Sequence, residues 1–173
     1  MTTPAPGFSW DLLGDLQEGR PTLGPFMRVE PYRLLQYTLR AVLEKEHGAA
    51  RTEAFFYEAG YLAGRHYYEQ LIGPACDLQD FIKRLGQSLL DQRVGLLQLE
   101  SADPQGGRFV LTIAEDLDCS GLPQLERTSC SFDEGFIAAL LESFDGCRYV
   151  VREVDCWTNG ARICRFVAEA ARE

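Results

Sequence analysis

The chain is poor in the residues and motifs that announce a chemistry. Only two histidines, His47 and His66, occur in 173 residues, so a Cys-His or Ser-His nucleophile pair would have to form across the fold, and neither histidine has a local partner for it. There is no GxGxxG, P-loop, GxSxG or HExxH, which argues against a nicotinamide or nucleoside-triphosphate enzyme. Basic residues are in the minority: 17 Lys and Arg stand against 26 Asp and Glu, a formal net charge of −9. A nucleic-acid module would carry a basic stripe to neutralise phosphates, and an anionic membrane surface would ask for the same. No apolar run approaches the roughly 20 residues that span a bilayer, so no transmembrane segment is expected. The first ten residues lack the basic start and apolar centre of a signal peptide, and the expectation is a cytoplasmic chain.

What the chain does have is cysteine. A reducing compartment makes six cysteines metal ligands, core residues or reactive thiols before it makes them disulfides. Four of them fall between Cys130 and Cys164, and Glu153, Cys156 and Cys164 form the pattern E-x2-C-x7-C. Cys156 and Cys164 flank Thr158-Asn159-Gly160, a hairpin signal between two apolar runs. Zinc takes four ligands from Cys, His and Asp/Glu, often two of them from one tight turn. Cys130 precedes a helix-period run and could supply a further thiolate from the start of that helix. The spacing is equally compatible with Cys130 as a core cysteine and Glu153 as a solvated strand residue.

The remaining cysteines say less. Cys119 follows the acidic Glu115-Asp-Leu-Asp118, which disfavours a nucleophilic thiol; Cys147, beside Gly146 and Arg148, has a better setting. A Cys119–Cys147 disulfide requires only that the two meet in space. An iron-sulfur cluster is disfavoured because close CxxC spacings are missing.

The length suits one domain with a real core. Residues 1–24 are expected to form a lead or dimerisation segment, loose in composition yet carrying Phe8, Trp10, Leu12 and Leu13, and residues 25–173 the domain. Pro31 opens a helix that runs through Tyr32 to His47. A second helix, about Ala50 to Ile72, carries six Phe and Tyr around Gly60 and Gly64, where another helix or a flat ligand could approach the backbone. Phe55, Leu62 and His66 share one face of it; His66 reads as a pocket donor or axial ligand, or as a partly exposed histidine on an ordinary amphipathic helix. Asp77 caps a third helix, Leu78 to Gln92. Strands follow at Val94–Glu100 and Arg108–Ala114, then a helix at Asp133–Phe144, then strands at Tyr149–Asp155 and Arg162–Val167. The fold class is α+β: helices first, then an antiparallel sheet with one helix inserted between its two hairpins.

The segment Cys130 to Phe166, above all Glu153-Val-Asp-Cys156-Trp-Thr-Asn-Gly160-Ala-Arg-Ile-Cys164-Arg-Phe166, resembles the C-terminal signature of the 4-vinyl reductase domain family. That family includes hydrocarbon-binding proteins and phenol-sensor domains. The resemblance implies a fold like the ligand-binding domains of nitric-oxide signalling proteins and TRAPP tethering subunits. It implies a structural zinc on Cys130, Glu153, Cys156 and Cys164, and a homodimer. It also implies a hydrophobic or aromatic ligand, a tetrapyrrole intermediate or a phenol-like compound, bound in an apolar cavity between the aromatic helix and the sheet, for which Phe55, Leu62, His66 and Phe136 are the candidate lining residues. A carrier, chaperone or stand-alone sensor fits a chain with no ATPase or DNA-binding domain. The alternatives are an enzyme or enzyme accessory in (bacterio)chlorophyll or tetrapyrrole metabolism, which would need a hydride source from elsewhere, and a protein-interaction scaffold.

Overall fold

In the computed structural model, residues 7–125 and 127–171 are described. The first six residues of the expected lead lie outside them. Contacts among the described residues group those up to Thr38 in one unit and those from Leu39 onward in another. In the first unit, Ser9 accepts a hydrogen bond from Asp11 N at the head of a 3-10 turn, Trp10–Leu13, and Asp15 accepts from Gln17 N and Glu18 N to cap the single-turn α1, Leu16–Gly19. The lead therefore holds local turns made by its own polar side chains.

α2 (Val29–His47) ends where Gly48 takes a positive φ of 78°, and α3 (Ala49–Tyr67) begins at the next residue. A π-helical turn, Tyr68–Ile72, extends α3 to Gly73, whose φ of 66° stops it. α4 (Leu78–Asp91) starts on Asp77, whose carboxylate accepts from Asp80 N at 2.9 Å, and it buries Phe81, Leu85 and Leu89 on one stripe. Asp77→Ala should cost about 1 kcal/mol, read as a lower urea midpoint with unchanged m-value.

The sheet is antiparallel throughout, in the order β1-β2-β4-β3: β1 (Leu96–Asp103), β2 (Arg108–Ala114), β4 (Cys164–Ala170) and β3 (Tyr149–Asp155). β2 is buried from Phe109 to Ile113, whereas β3 alternates, with Tyr149, Val151 and Glu153 turned inward. A period of two thus puts a carboxylate on the core face of an otherwise apolar strand. The β3–β4 register shifts between Glu153 and Asp155, a bulge that re-aims the strand just before Cys156.

α5 (Ser131–Asp145) lies between β2 and β3 in sequence and packs on β3 and on α3. Its contact with α3 is unusually close. A Cβ at Gly60 would stand 1.9 Å from the Phe132 carbonyl oxygen, one at Gly64 2.5 Å from that of Phe136, and one at Gly135 2.0 Å from that of Tyr57. The small residues of the second helix therefore admit a helix. Around this seam Tyr67 meets Phe136 edge-on at 5.1 Å and Phe81 stacks on Phe144 at 4.6 Å. Among the described residues no helix is long and apolar enough to cross a membrane.

Candidate metal centre

Four buried thiols converge at one end of the sheet. Cys130 is the residue before α5, Cys156 follows β3, Cys164 opens β4, and Cys119 lies in the connection after β2. Their Sγ atoms all lie within 4.8 Å of one another. Cys119 Sγ is 3.1 Å from Cys164 Sγ, and Cys130 Sγ is 3.8 Å from Cys156 Sγ and 4.0 Å from Cys164 Sγ. A tetrahedron of thiolates around zinc, with bonds of about 2.3 Å, has sulfur atoms about 3.8 Å apart. The donor set and its spacing fit a tetrahedral metal ion, and four buried cysteines could hold one.

Local chemistry builds each position. The turn after β3 is held by Cys156 itself: its N–H donates to Asn159 Oδ1 at 3.0 Å, and its carbonyl accepts from Asn159 N and Ala161 N. Gly160 closes that turn at a φ of 101°, a conformation that disfavours any side chain. Thr158, fully buried, donates to the Arg127 carbonyl at 2.6 Å and also lies 3.1 Å from Cys156 Sγ. On the opposite side Asp116 Oδ1 accepts from Asp118 N and Cys119 N at 2.8 and 3.1 Å, an Asx turn that aims Cys119 inward.

Charge in the cluster is uneven. Hydrogen bonds from Cys119, Cys130 and Cys164 hold the Cys156 thiol far below its ordinary range, whereas Cys130 and Cys164 are pushed up, each chiefly by its bond to Cys119. Replacing the shared protons by one divalent cation would satisfy all four sulfurs. Carboxylates crowd the same region. Burial, then the charge of Asp118, pushes Asp116 up to about 7; burial, then the charge of Cys156, pushes Glu153 up to about 8; burial and the neighbouring acids hold Asp133 well above the usual carboxylate range.

Of the four residues expected as ligands, Cys130, Cys156 and Cys164 come together, and Cys119 joins them. Glu153 stands beside this set. Its Oε2 accepts from Ser129 N at 3.2 Å and Cys130 N at 3.1 Å, anchoring the start of α5, and its buried Oε1 has no hydrogen-bond partner. Glu134 repeats the device one turn along, its Oε1 accepting from Glu153 N at 2.8 Å. The available sequence signal for Cys119 was the Asp-Leu-Asp-Cys turn, whose first acid, Asp116, accepts from the backbone of Asp118 and Cys119. All six cysteines are free thiols; Cys147 and Cys76 are exposed, and Cys119 and Cys147 are not joined.

None of the four candidate lining residues borders the groove beside Tyr57 described below. Phe55 meets His47 edge-on at 5.5 Å and carries the Arg51 guanidinium on its face; Leu62 is exposed; His66 Nδ1 is 3.8 Å from Glu69; Phe136 lies in the α3–α5 seam. A groove of about 590 Å³ lies instead where α3 and β3 flank the start of α5, lined by Tyr57, Ala54, Val150, Glu134 and Arg152 among others. Arg152 Nη1 is 3.6 Å from Glu134 Oε2 across it.

Residues 109–170, which contain all four clustered cysteines, match the model of the 4-vinyl reductase domain. The resemblance drawn from the Cys130–Phe166 segment therefore holds at the level of a domain family. Two uncharacterised proteins of Methanocaldococcus jannaschii are 25% identical over 101 residues and 23% identical over 117 residues, covering 58% and 68% of this chain. The matches span only 60% and 64% of those relatives. Among solved structures, a vinyl-4-reductase family protein from M. jannaschii superposes with a TM-score of 0.62 at 16% identity, covering 94% of both chains. The phenol-responsive sensory domain of the transcription activator PoxR, with phenol, gives 0.62 at 13% identity, covering 84% of this chain and 76% of that one. Trafficking protein particle complex subunit 3 of Naegleria fowleri, covalently bound to palmitic acid, gives 0.65 at 13%, covering 83% and 95%. At these identities the likeness establishes the fold alone, an α+β architecture shared with a sensory domain and a trafficking-complex subunit.

Proposed function

We propose that this chain is a zinc-stabilised domain that binds a small hydrophobic or aromatic molecule and works as a carrier, chaperone or sensor. The observation that carries the reading is the four-thiol cluster: it is buried, its four positions are filled by protein, and it joins the β2–α5 connection, the start of α5 and the β3–β4 turn. A closed site of that kind contributes stability and leaves no position for activated water. The domain-family match and the phenol-bound sensor domain among the structural relatives support a ligand-binding role. The groove beside Tyr57 offers such a ligand apolar surface from Ala54 and Val150, with Arg152 and Glu134 to meet a polar substituent.

In this reading zinc is held by Cys119, Cys130, Cys156 and Cys164, and Glu153 positions Cys130 through the backbone. The set with Glu153 in place of Cys119 is the competing assignment, and a pair of variants separates the two. Cys119→Ser should weaken zinc binding by well over 100-fold, whereas Glu153→Gln should cost about 10- to 100-fold, the usual effect of a group that orients a ligand. Competition with a chromophoric chelator measures both, and the reverse order would put Glu153 on the metal. Native mass spectrometry of protein purified without chelators tests the whole reading: at least one zinc and a releasable small molecule are expected. A protein that carries no zinc and takes none up would overturn it.

A further inference from the structure

Beside the four-thiol cluster a second set of donors closes on itself. Carboxylate oxygens of Asp116 and Asp133 and the Sγ of Cys130 all lie within 4.8 Å of one another, and all three residues are buried. Asp133 sits in the first turn of α5, is only 8% exposed, and its Oδ2 has no hydrogen-bond partner. A carboxylate oxygen so buried ordinarily finds a donor, because an unmet one forfeits its hydration. Asp116 is already oriented by the backbone N–H groups of Asp118 and Cys119 on its Oδ1. Arg40 is the one Lys, Arg or His classed as buried among the described residues, and its guanidinium goes to the Ser129 carbonyl and towards Glu44.

We propose that Asp116, Asp133 and the Cys130 thiolate form a second divalent-cation site, joined to the four-cysteine site through Cys130. A thiolate sulfur has lone pairs for two metal ions, so one Sγ can belong to both donor sets. A mixed set of two carboxylates and one thiolate suits zinc or a neighbouring first-row divalent ion; calcium and magnesium ask for six or more oxygens. Three protein donors leave one tetrahedral position to water, so this ion is held less firmly than the one bound by four thiols. The inference rests on the four-thiol reading, because the first ion keeps Cys130 deprotonated.

The test is zinc stoichiometry on the full chain. Reduced protein stripped with chelator is reloaded with excess zinc, desalted and assayed by plasma mass spectrometry, beside Asp133→Asn and Asp116→Asn. The expected ratio is two zinc ions per chain in the wild type and one in each variant. In parallel cobalt loading, both variants should keep the sulfur-to-cobalt absorption of the four-thiol site. A wild-type ratio of one overturns the second site and leaves the first standing; a ratio of zero overturns both. A ratio of two that survives both substitutions places the second ion elsewhere and also overturns the proposal. The wild-type ratio decides between one and two by itself, so the test stands even where a variant fails to fold.

Discussion

On the proposed zinc reading, Cys156→Ala is expected to abolish zinc binding and to remove the cooperative melting transition at ambient temperature. Three separate contributions meet on this sulfur. Hydrogen bonds from Cys119, Cys130 and Cys164 hold its thiol far below the ordinary thiol range. It lies 3.1 Å from Thr158 Oγ1, a buried hydroxyl that a methyl group would leave with the Arg127 carbonyl as its close partner. It also begins the turn that returns β3 to β4. Structural zinc contributes about 10–16 kcal/mol of apparent binding energy in small domains, as large as the roughly 5–15 kcal/mol total stability of an ordinary protein. Loss of one of four thiolates therefore removes more than the fold has in reserve. Zinc content by plasma mass spectrometry and a thermal melt followed by circular dichroism give the answer. Unchanged metal content with an unchanged melting temperature in the variant would dismiss the metal reading.

The second large effect is expected at the α3–α5 seam, where Gly60→Ala should destabilise the domain by about 1–3 kcal/mol. On helix propensity alone the change would help by about 1 kcal/mol, since glycine is the poorer helix former. Packing reverses the sign. The added methyl would sit 1.9 Å from the Phe132 carbonyl oxygen, an atom of the α5 backbone that no rotamer change can move aside. The helices would have to separate, and overpacking of this kind costs about 1–3 kcal/mol or more, beyond the lost propensity gain. Gly86→Ala is the control. On α4 the same methyl meets only ordinary contacts, 3.9 Å from Leu97, so propensity should win and the variant should gain up to about 1 kcal/mol. Urea unfolding of the two variants side by side reads opposite signs; a Gly60→Ala protein as stable as the wild type would mean that the seam is looser than its geometry implies.

Much of the architecture was present in the sequence because it rests on local rules. The strands Arg108–Ala114 and Tyr149–Asp155 coincide with their expected bounds, and Asp77 caps α4 as its residue type dictates. Other ends moved where tertiary contacts extend a local pattern. β1 starts at Leu96 instead of Val94 and runs on to Asp103, past a bulge between Leu99 and Ser101, because β2 offers it partners that far. β4 starts at Cys164, two residues later than its apolar pattern, and pairs on both sides, with β2 and with β3. The glycines of α3 were legible as an invitation to close approach, but whether a helix or a ligand accepts it depends on α5, which lies far along the chain beyond β2.

The sequence by itself determined that this protein has an α+β fold, an acidic surface balance and a cysteine-bearing hairpin, since periodicity, turn chemistry and net charge are properties of neighbouring residues. Only the tertiary structure decided which of these side chains lie together. Cys119 and Cys164 are 45 positions apart and meet at 3.1 Å, while Glu153, three residues from Cys156, reaches the backbone of Ser129 and Cys130 through its Oε2. The reason is physical: a coordination sphere is closed by side chains that the sheet and helix bring together from different elements, and spacing along the chain carries no information about which distant residue fills the last position.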